Sequence, residues 1–420
     1  MVKKNIKKCK ARNKKITCTT TDTVKVLKMK VLLIGERYSE NLGDGVIFET
    51  FSGIYKKIYP NSIIKELDVS GRTAYREEYN YKSNSRPFEK LKNTLKKILP
   101  DKLAGKISAI IRINNLHKNM NEINFKEYNY AIFVGGSLFM DYFAFPIYLI
   151  IRKLSNYNVH VIFNCCGLGK CRGKINQYLL RYSINNKVVI GISIRDNLEY
   201  FKKIYLKRND IKIEKTLDAA FELKDYYNID SDFVKKDKIV GIGIMSIADI
   251  NKNGYVVINE ENYIKMLRTI IIYLDNDNYE WAFFTNGAIQ DHVYAEYLCE
   301  KLNCTEKLCK RPTKPIELID TINKFQKIVS FRLHSHIIAT SLGVPVVGFV
   351  CGEKVKEFAS IINNPYFINL MNNNIQEQLE VSLDWLIKHD AKISLPNCIT
   401  TTSEYIRSLQ LNEKSLLDDT

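Results

Sequence analysis

Short aliphatic runs that stop at a glycine or a polar residue recur along this chain, each followed by a stretch with helical spacing. Residues 30–34, Lys-Val-Leu-Leu-Ile, end at Gly35 and are apolar on both faces, so they read as a buried parallel strand. A loop over 36–45 and a helix over 46–55 follow. Residues 130–134, 160–164 and 188–194 repeat the strand pattern, with helical segments between them. Near residue 238 a second series begins, with strands at 238–245, 281–284, 327–331 and 344–350 and helices at 261–274, 290–302, 315–325 and 334–342. Helices at 381–389 and 403–411 close the chain and are expected to cross back over the first domain. Such alternation gives parallel sheets covered by helices on both faces. The expected fold class is therefore α/β, as two doubly wound Rossmann-like domains facing across a cleft.

A chain of 420 residues exceeds the size at which one core usually stops growing, which agrees with two domains. The expected division is a mobile basic tail over 1–28, an N-terminal domain over 29–225 and a C-terminal domain over 238–390. A helical segment over 391–420 follows. The N-terminal domain carries a basic insert at 72–125, and the acidic stretch 222–237 is the expected linker.

The formal charge of +17 suggests nucleic acid until it is located. Residues 1–30 carry +10 and residues 82–118 carry +8, so the remainder sums to −1. A near-neutral body argues against a basic groove for a specific nucleic acid. Two polybasic segments, the second with Phe88, Leu91, Leu95, Ile98 and Leu99 at helical spacing, suit peripheral contact with an anionic membrane instead. The apolar stretch near 142–151 is about ten residues long and contains Pro146, too short to span a bilayer, which needs about 20. Ten scattered cysteines form no C-x-x-C pair, and no His/Cys cluster offers zinc spacing. The expected setting is the reducing cytoplasm, with association at the inner face of the cell membrane and no metal or cofactor.

Chemistry-bearing residues gather just past the carboxyl ends of the expected strands. Arg332-Leu333-His334-Ser335 joins a strand to a helix. The first amides of that helix attract anions, Arg332 adds a planar fork for carboxylate or phosphate, and His334 is an acid–base group. His336, two residues on, faces elsewhere and reads as structural or acceptor-side. Asn41-Leu42-Gly43-Asp44-Gly45 permits close backbone approach, with Asp44 placed to cap a helix or orient a hydroxyl. Gly135-Gly136-Ser137 again clears side chains from a strand end. Arg195 offers a second anion clamp, and Lys354 a further cation. Neither a dinucleotide fingerprint nor a P-loop is present.

Taken in order, these segments resemble the polysaccharide pyruvyl transferase family. The match rests on Gly35, Asn41-Leu42-Gly43-Asp44, Gly135-Gly136-Ser137 with Asp141, Ile194-Arg195-Asp196 and Leu217-Asp218-Ala219. It continues through Arg332-Leu333-His334-Ser335, Gly343-Val344-Pro345 and Lys354. The resemblance implies a two-domain arrangement like that of the GT-B glycosyltransferases. It also implies transfer of a pyruvyl group from phosphoenolpyruvate to a surface-glycan sugar, as a ketal of a kind found in exopolysaccharide or capsule. Phosphoenolpyruvate is then the donor substrate rather than a cofactor, and the partner is a glycan or lipid-linked saccharide acceptor. On that resemblance His334 is the acid that protonates the donor's methylene carbon. Arg332 is the second catalytic residue, stabilising charge on the leaving group, and Arg332-Leu333-His334 holds the donor with Arg195. Ser335, Lys354, Gly43 and Ser137 bind substrate, and Asn41, Asp44, Gly135 and Gly136 line the cleft on the acceptor side. The chain departs from the family in the bulky loop 36–40, in Cys351-Gly352-Glu353 before Lys354, and in the basic insert. A GT-B glycosyltransferase using a nucleotide sugar and a non-catalytic scaffold for glycan assembly stay open as alternatives.

Overall fold

A computed structural model describes residues 28–76, 101–229, 238–252, 255–389 and 399–411. The basic tail, the amphipathic segment at 88–99 and much of the expected linker lie outside the described residues. The first sheet contains β1 (Lys30–Gly35), β2 (Ile63–Asp68), β3 (Tyr130–Val134), β4 (His160–Cys166), β5 (Val189–Ile194) and β6 (Lys212–Lys215). The second contains β7 (Ile239–Gly243), β8 (Glu280–Phe284), β9 (Lys327–Ser330), β10 (Val346–Val350) and β11 (Ile368–Asn369). Every pairing is parallel, in the orders β2-β1-β3-β4-β5-β6 and β11-β10-β9-β7-β8.

Burial explains which strands took which place. All five residues of β3 are buried, as a central parallel strand flanked by helices requires. At the rims, β2 alternates in its exposed half and β6 reads Lys-Ile-Glu-Lys, so charge blunts both edges. Those two edge strands escaped the sequence reading because neither is a continuous apolar run. One apolar cluster fills the outer face of the first sheet; the other runs from its inner face across the domain seam into the second domain.

Two expectations need correction and one is sharpened. The loop 36–45 ends sooner than expected: the helix Leu42–Ile58 begins directly after Asn41, so Gly43, Asp44 and Gly45 form its first turn. The basic insert is helical as expected, but the described helix is Asp101–Asn121, later than the 88–99 spacing, and its Leu116 and Met120 are buried against the first sheet. The acidic stretch opens with the helix Leu223–Tyr227, in which Leu223 is fully buried, while the carbonyl of Phe221 accepts a hydrogen bond from Ser341 Oγ. The last helix, Thr402–Ser408, packs on the first domain, where Tyr405 Oη donates to the Lys212 carbonyl and Leu217 N to the Thr400 carbonyl.

In each sheet the strand order reverses at one point, between β1 and β3 and between β7 and β9. Ligands in open parallel sheets bind in the crevice at such a switch point, beyond the carboxyl ends of the strands. The two crevices face each other across the seam: Leu42 N donates to the Asn286 carbonyl at 2.9 Å, and Gly43 abuts the ring of His334.

Candidate active site at the domain seam

The site is built from the segments that follow β1, β3, β5, β6, β7, β8, β9 and β10. After β9 the helix Leu333–Leu342 starts with Arg332 at its N-cap and no side chain capping it. His334, in its first turn, is buried against Gly43, where a Cβ would collide with the imidazole. Its Nε2 has no hydrogen-bond partner among the described residues. Burial, with Arg195, Lys354 and Arg332 nearby, lowers its pKa to about 4 against the opposing pull of Asp44. The imidazole is therefore neutral at pH 7.

The cations around it are held by carboxylates. Arg332 donates from Nε to Asp291 at 2.8 Å and from Nη2 to Asp249 at 2.6 Å, and a second bond from Nη2 to Asp291 makes that pair bidentate. Burial works against the guanidinium charge, and Asp291 and Asp249 more than offset it. Arg195, behind β5, pairs with Asp218, and its Nε approaches Asp196 at 3.8 Å without a hydrogen-bond partner among the described residues. Lys354, in the first turn of the helix Glu353–Ile361, crosses the seam to donate to Ser137 and approaches Asp196 at 3.7 Å. Burial lowers its pKa, and Asp196 resists the shift.

Gly135 and Gly136 have φ values of +43° and +66°, which an L side chain rarely adopts. That turn brings the backbone close to Asp44, whose Oδ1 would lie 3.3 Å from a Cβ at Gly136. His334, Lys354, Arg195, Asp44, Gly43, Gly136 and Ser137 therefore meet at one place. Ser335 lies beneath it, fully buried, its hydroxyl donating to Asn286 Oδ1. Asn41 is adjacent with a buried Oδ1 that finds no partner among the described residues, and Leu333 lines the cleft with Arg195 and Lys354. His336 points into the second domain, where its Nε2 lies 2.7 Å from the Ser330 carbonyl and its ring packs on Phe358 and Phe367.

Asp249, Asp291 and Asn286 were not singled out from sequence, whereas Asp196 was noted beside Arg195. A charge rule would have found the acids, since a buried guanidinium is rarely left unpaired. Their positions could not be read off, because each comes from a different strand end. Among the described residues, no group of three or more His, Cys, Asp or Glu is arranged to hold a metal ion, and no helix is long and apolar enough to cross a membrane.

Known structures share this architecture. MnaA of S. aureus, solved with UDP, superposes with a TM-score of 0.50 at 12% identity, covering 91% of this chain and 95% of that one. The Methanocaldococcus jannaschii UDP-GlcNAc 2-epimerase, in complex with UDP-GlcNAc and UDP, gives 0.51 at 12% identity, covering 91% and 98%. At such identity the likeness is one of fold, GT-B-type. A search of curated proteins finds no match. The family model for polysaccharide pyruvyl transferase matches residues 41–353, from the Asn41 turn to the start of the Lys354 helix. With every seam turn from Asn41 to Arg332 inside that match, the chain belongs to the polysaccharide pyruvyl transferase family.

Proposed function

We propose that this chain transfers the pyruvyl group of phosphoenolpyruvate to a sugar of a bacterial surface polysaccharide or its precursor, forming a pyruvate ketal. One observation carries the reading: a buried, neutral imidazole with an unpartnered Nε2 sits among Arg195, Arg332, Lys354 and Asp44 at the seam. A donor carrying a carboxylate and a phosphate brings negative charge to those cations. Each added charge beside His334 favours its protonated form, so donor binding turns a neutral imidazole into an acid.

Protonated His334 then delivers its proton to the donor's methylene carbon, and the neighbouring carbon gains oxocarbenium character. An acceptor hydroxyl adds there while its proton passes to Asp44 on the first domain. The carbon–oxygen bond to phosphate breaks, and the departing phosphate takes that proton from Asp44. A second hydroxyl closes the ketal, and its proton restores His334 for release. Arg195, Lys354 and the uncapped amides of the helix Leu333–Leu342 stabilise the charge on the leaving phosphate. Arg332, locked by Asp249 and Asp291, keeps that helix start in place and presents its remaining edge to the donor carboxylate.

Calorimetry with phosphoenolpyruvate and with a panel of nucleotide sugars tests the proposal. Binding of phosphoenolpyruvate, with phosphate release when an acceptor glycan is added, is the expected result. Binding of a nucleotide sugar alone would overturn it in favour of glycosyl transfer.

A further inference from the structure

The outer face of the first domain carries an apolar ridge that no part of the described chain covers. On the helix Lys174–Ile184, Ile175, Tyr178 and Tyr182 fall at i, i+3 and i+7, and all three are exposed, Ile175 at 76% and Tyr178 at 66%. Such spacing normally marks the buried stripe of a helix. On the adjacent helix Asp141–Asn156, Tyr142 and Phe145 are exposed and Tyr148 half-buried, and Tyr148 meets Tyr182 edge to face at 5.4 Å. The ridges of the two helices are thus continuous.

Their charge is one-sided. Residues 142–195 contain eight Lys or Arg and no Asp or Glu. Of these, Arg152, Lys170, Arg172, Lys174 and Lys187 are exposed. Arg112 stacks on Tyr142 at 3.3 Å. Exposed tyrosines and aliphatics rimmed by cations, with Asp141 the one acid of the two helices and engaged by the Gly173 amide and Asn176, match the interface of an anionic bilayer. There aromatic rings sit at headgroup level and Lys/Arg meet the lipid phosphates.

The ridge also begins at the active-site edge. Both helices start just beyond carboxyl ends of the first sheet, tied together by Asp141, which accepts from the Gly173 amide and Asn176 Nδ2. Tyr142 lies within electrostatic reach of Glu36 and Arg72, and Glu36 within reach of Asp44 at the seam.

We propose that this face docks on an anionic membrane surface, setting the cleft mouth beside the bilayer so that a lipid-linked acceptor reaches Asp44 without leaving the membrane. The acceptor's place at Asp44 rests on the reading of the site given above, whereas the docking itself does not depend on the identity of the donor. Apart from Arg112, the residues of this surface come from 142–187, outside the polybasic stretches 1–30 and 82–118.

Tyr178→Trp in the full chain places a reporter on the ridge. Vesicles of phosphatidylcholine with phosphatidylglycerol should shift its emission to the blue, and brominated acyl chains should quench it. Pure phosphatidylcholine should do neither. The triple variant Ile175→Ser/Tyr178→Ser/Tyr182→Ser alters only exposed positions. It should weaken vesicle partitioning on the order of tenfold or more, with its circular dichroism unchanged. If the protein pellets with vesicles while the reporter's emission stays fixed, the polybasic segments bind lipid and this face does not. If sedimentation instead finds a wild-type dimer that the triple variant converts to monomer, the ridge is a protein interface. Either result overturns the proposal.

Discussion

At the scale of single residues, His334 shows why burial and charge must be read together. Its imidazole is stripped of water and surrounded by three cations, and both effects drive off the proton. Only a counter-anion reverses them. Donor binding should therefore take up a proton between pH 4 and the higher pKa reached in the complex, and affinity should fall as pH rises through that higher value. Calorimetry of phosphoenolpyruvate binding in buffers of different ionisation enthalpy reads the uptake directly. A binding enthalpy that does not vary with buffer would remove His334 as the proton acceptor. His334→Gln should keep the shape of the site, lose proton uptake and lower kcat by about 10²-fold or more; unchanged turnover would exclude it as the acid.

At the scale of elements, the helix Leu42–Ile58 matters for what its first turn omits. Gly43 has no side chain, so helix backbone and imidazole meet directly. Inside an exposed helix a Gly→Ala change usually gains about 1 kcal/mol. Here Gly43→Ala would place a methyl group in the His334 ring, so the local gain opposes a displaced acid. The expected result is an intact far-ultraviolet spectrum with kcat reduced on the order of 10²-fold. Full activity in this variant would show that the ring position is not critical. The same helix start explains why the turn was misjudged from sequence. Two glycines and an aspartate read as loop residues by propensity, and packing against the second domain overrides that preference.

At the scale of the whole molecule, the seam stores a pH dependence. His334 and His336 both sit near pKa 4 in the folded chain, chiefly through burial, while an unfolded histidine titrates near 6.5. As pH falls from about 6.5 to 4 the unfolded chain takes up protons that the folded chain refuses, so stability declines across that window and is fully present above it. Chemical denaturation from pH 7.5 to 4.5 should show this loss, and His336→Phe, which fills the slot beside Phe358 and Phe367, should shrink it. A denaturation midpoint flat over that range would refute the assignment. The alternation of aliphatic runs and helical spacing was legible in the sequence because buried parallel strands must be apolar on both faces. The strand-to-helix junctions at Arg332, Arg195 and Gly135 were legible too, as polar and glycine residues set directly after such runs. Sequence order alone held no sign that Gly43 would touch His334, that Lys354 would cross to Ser137, or that Asp249 and Asp291 would share one guanidinium. Those pairings join residues brought together by sheet order and by the packing of one domain on the other. Only the tertiary structure, by removing water from the seam, turned a list of ionisable residues into a set whose charges depend on one another.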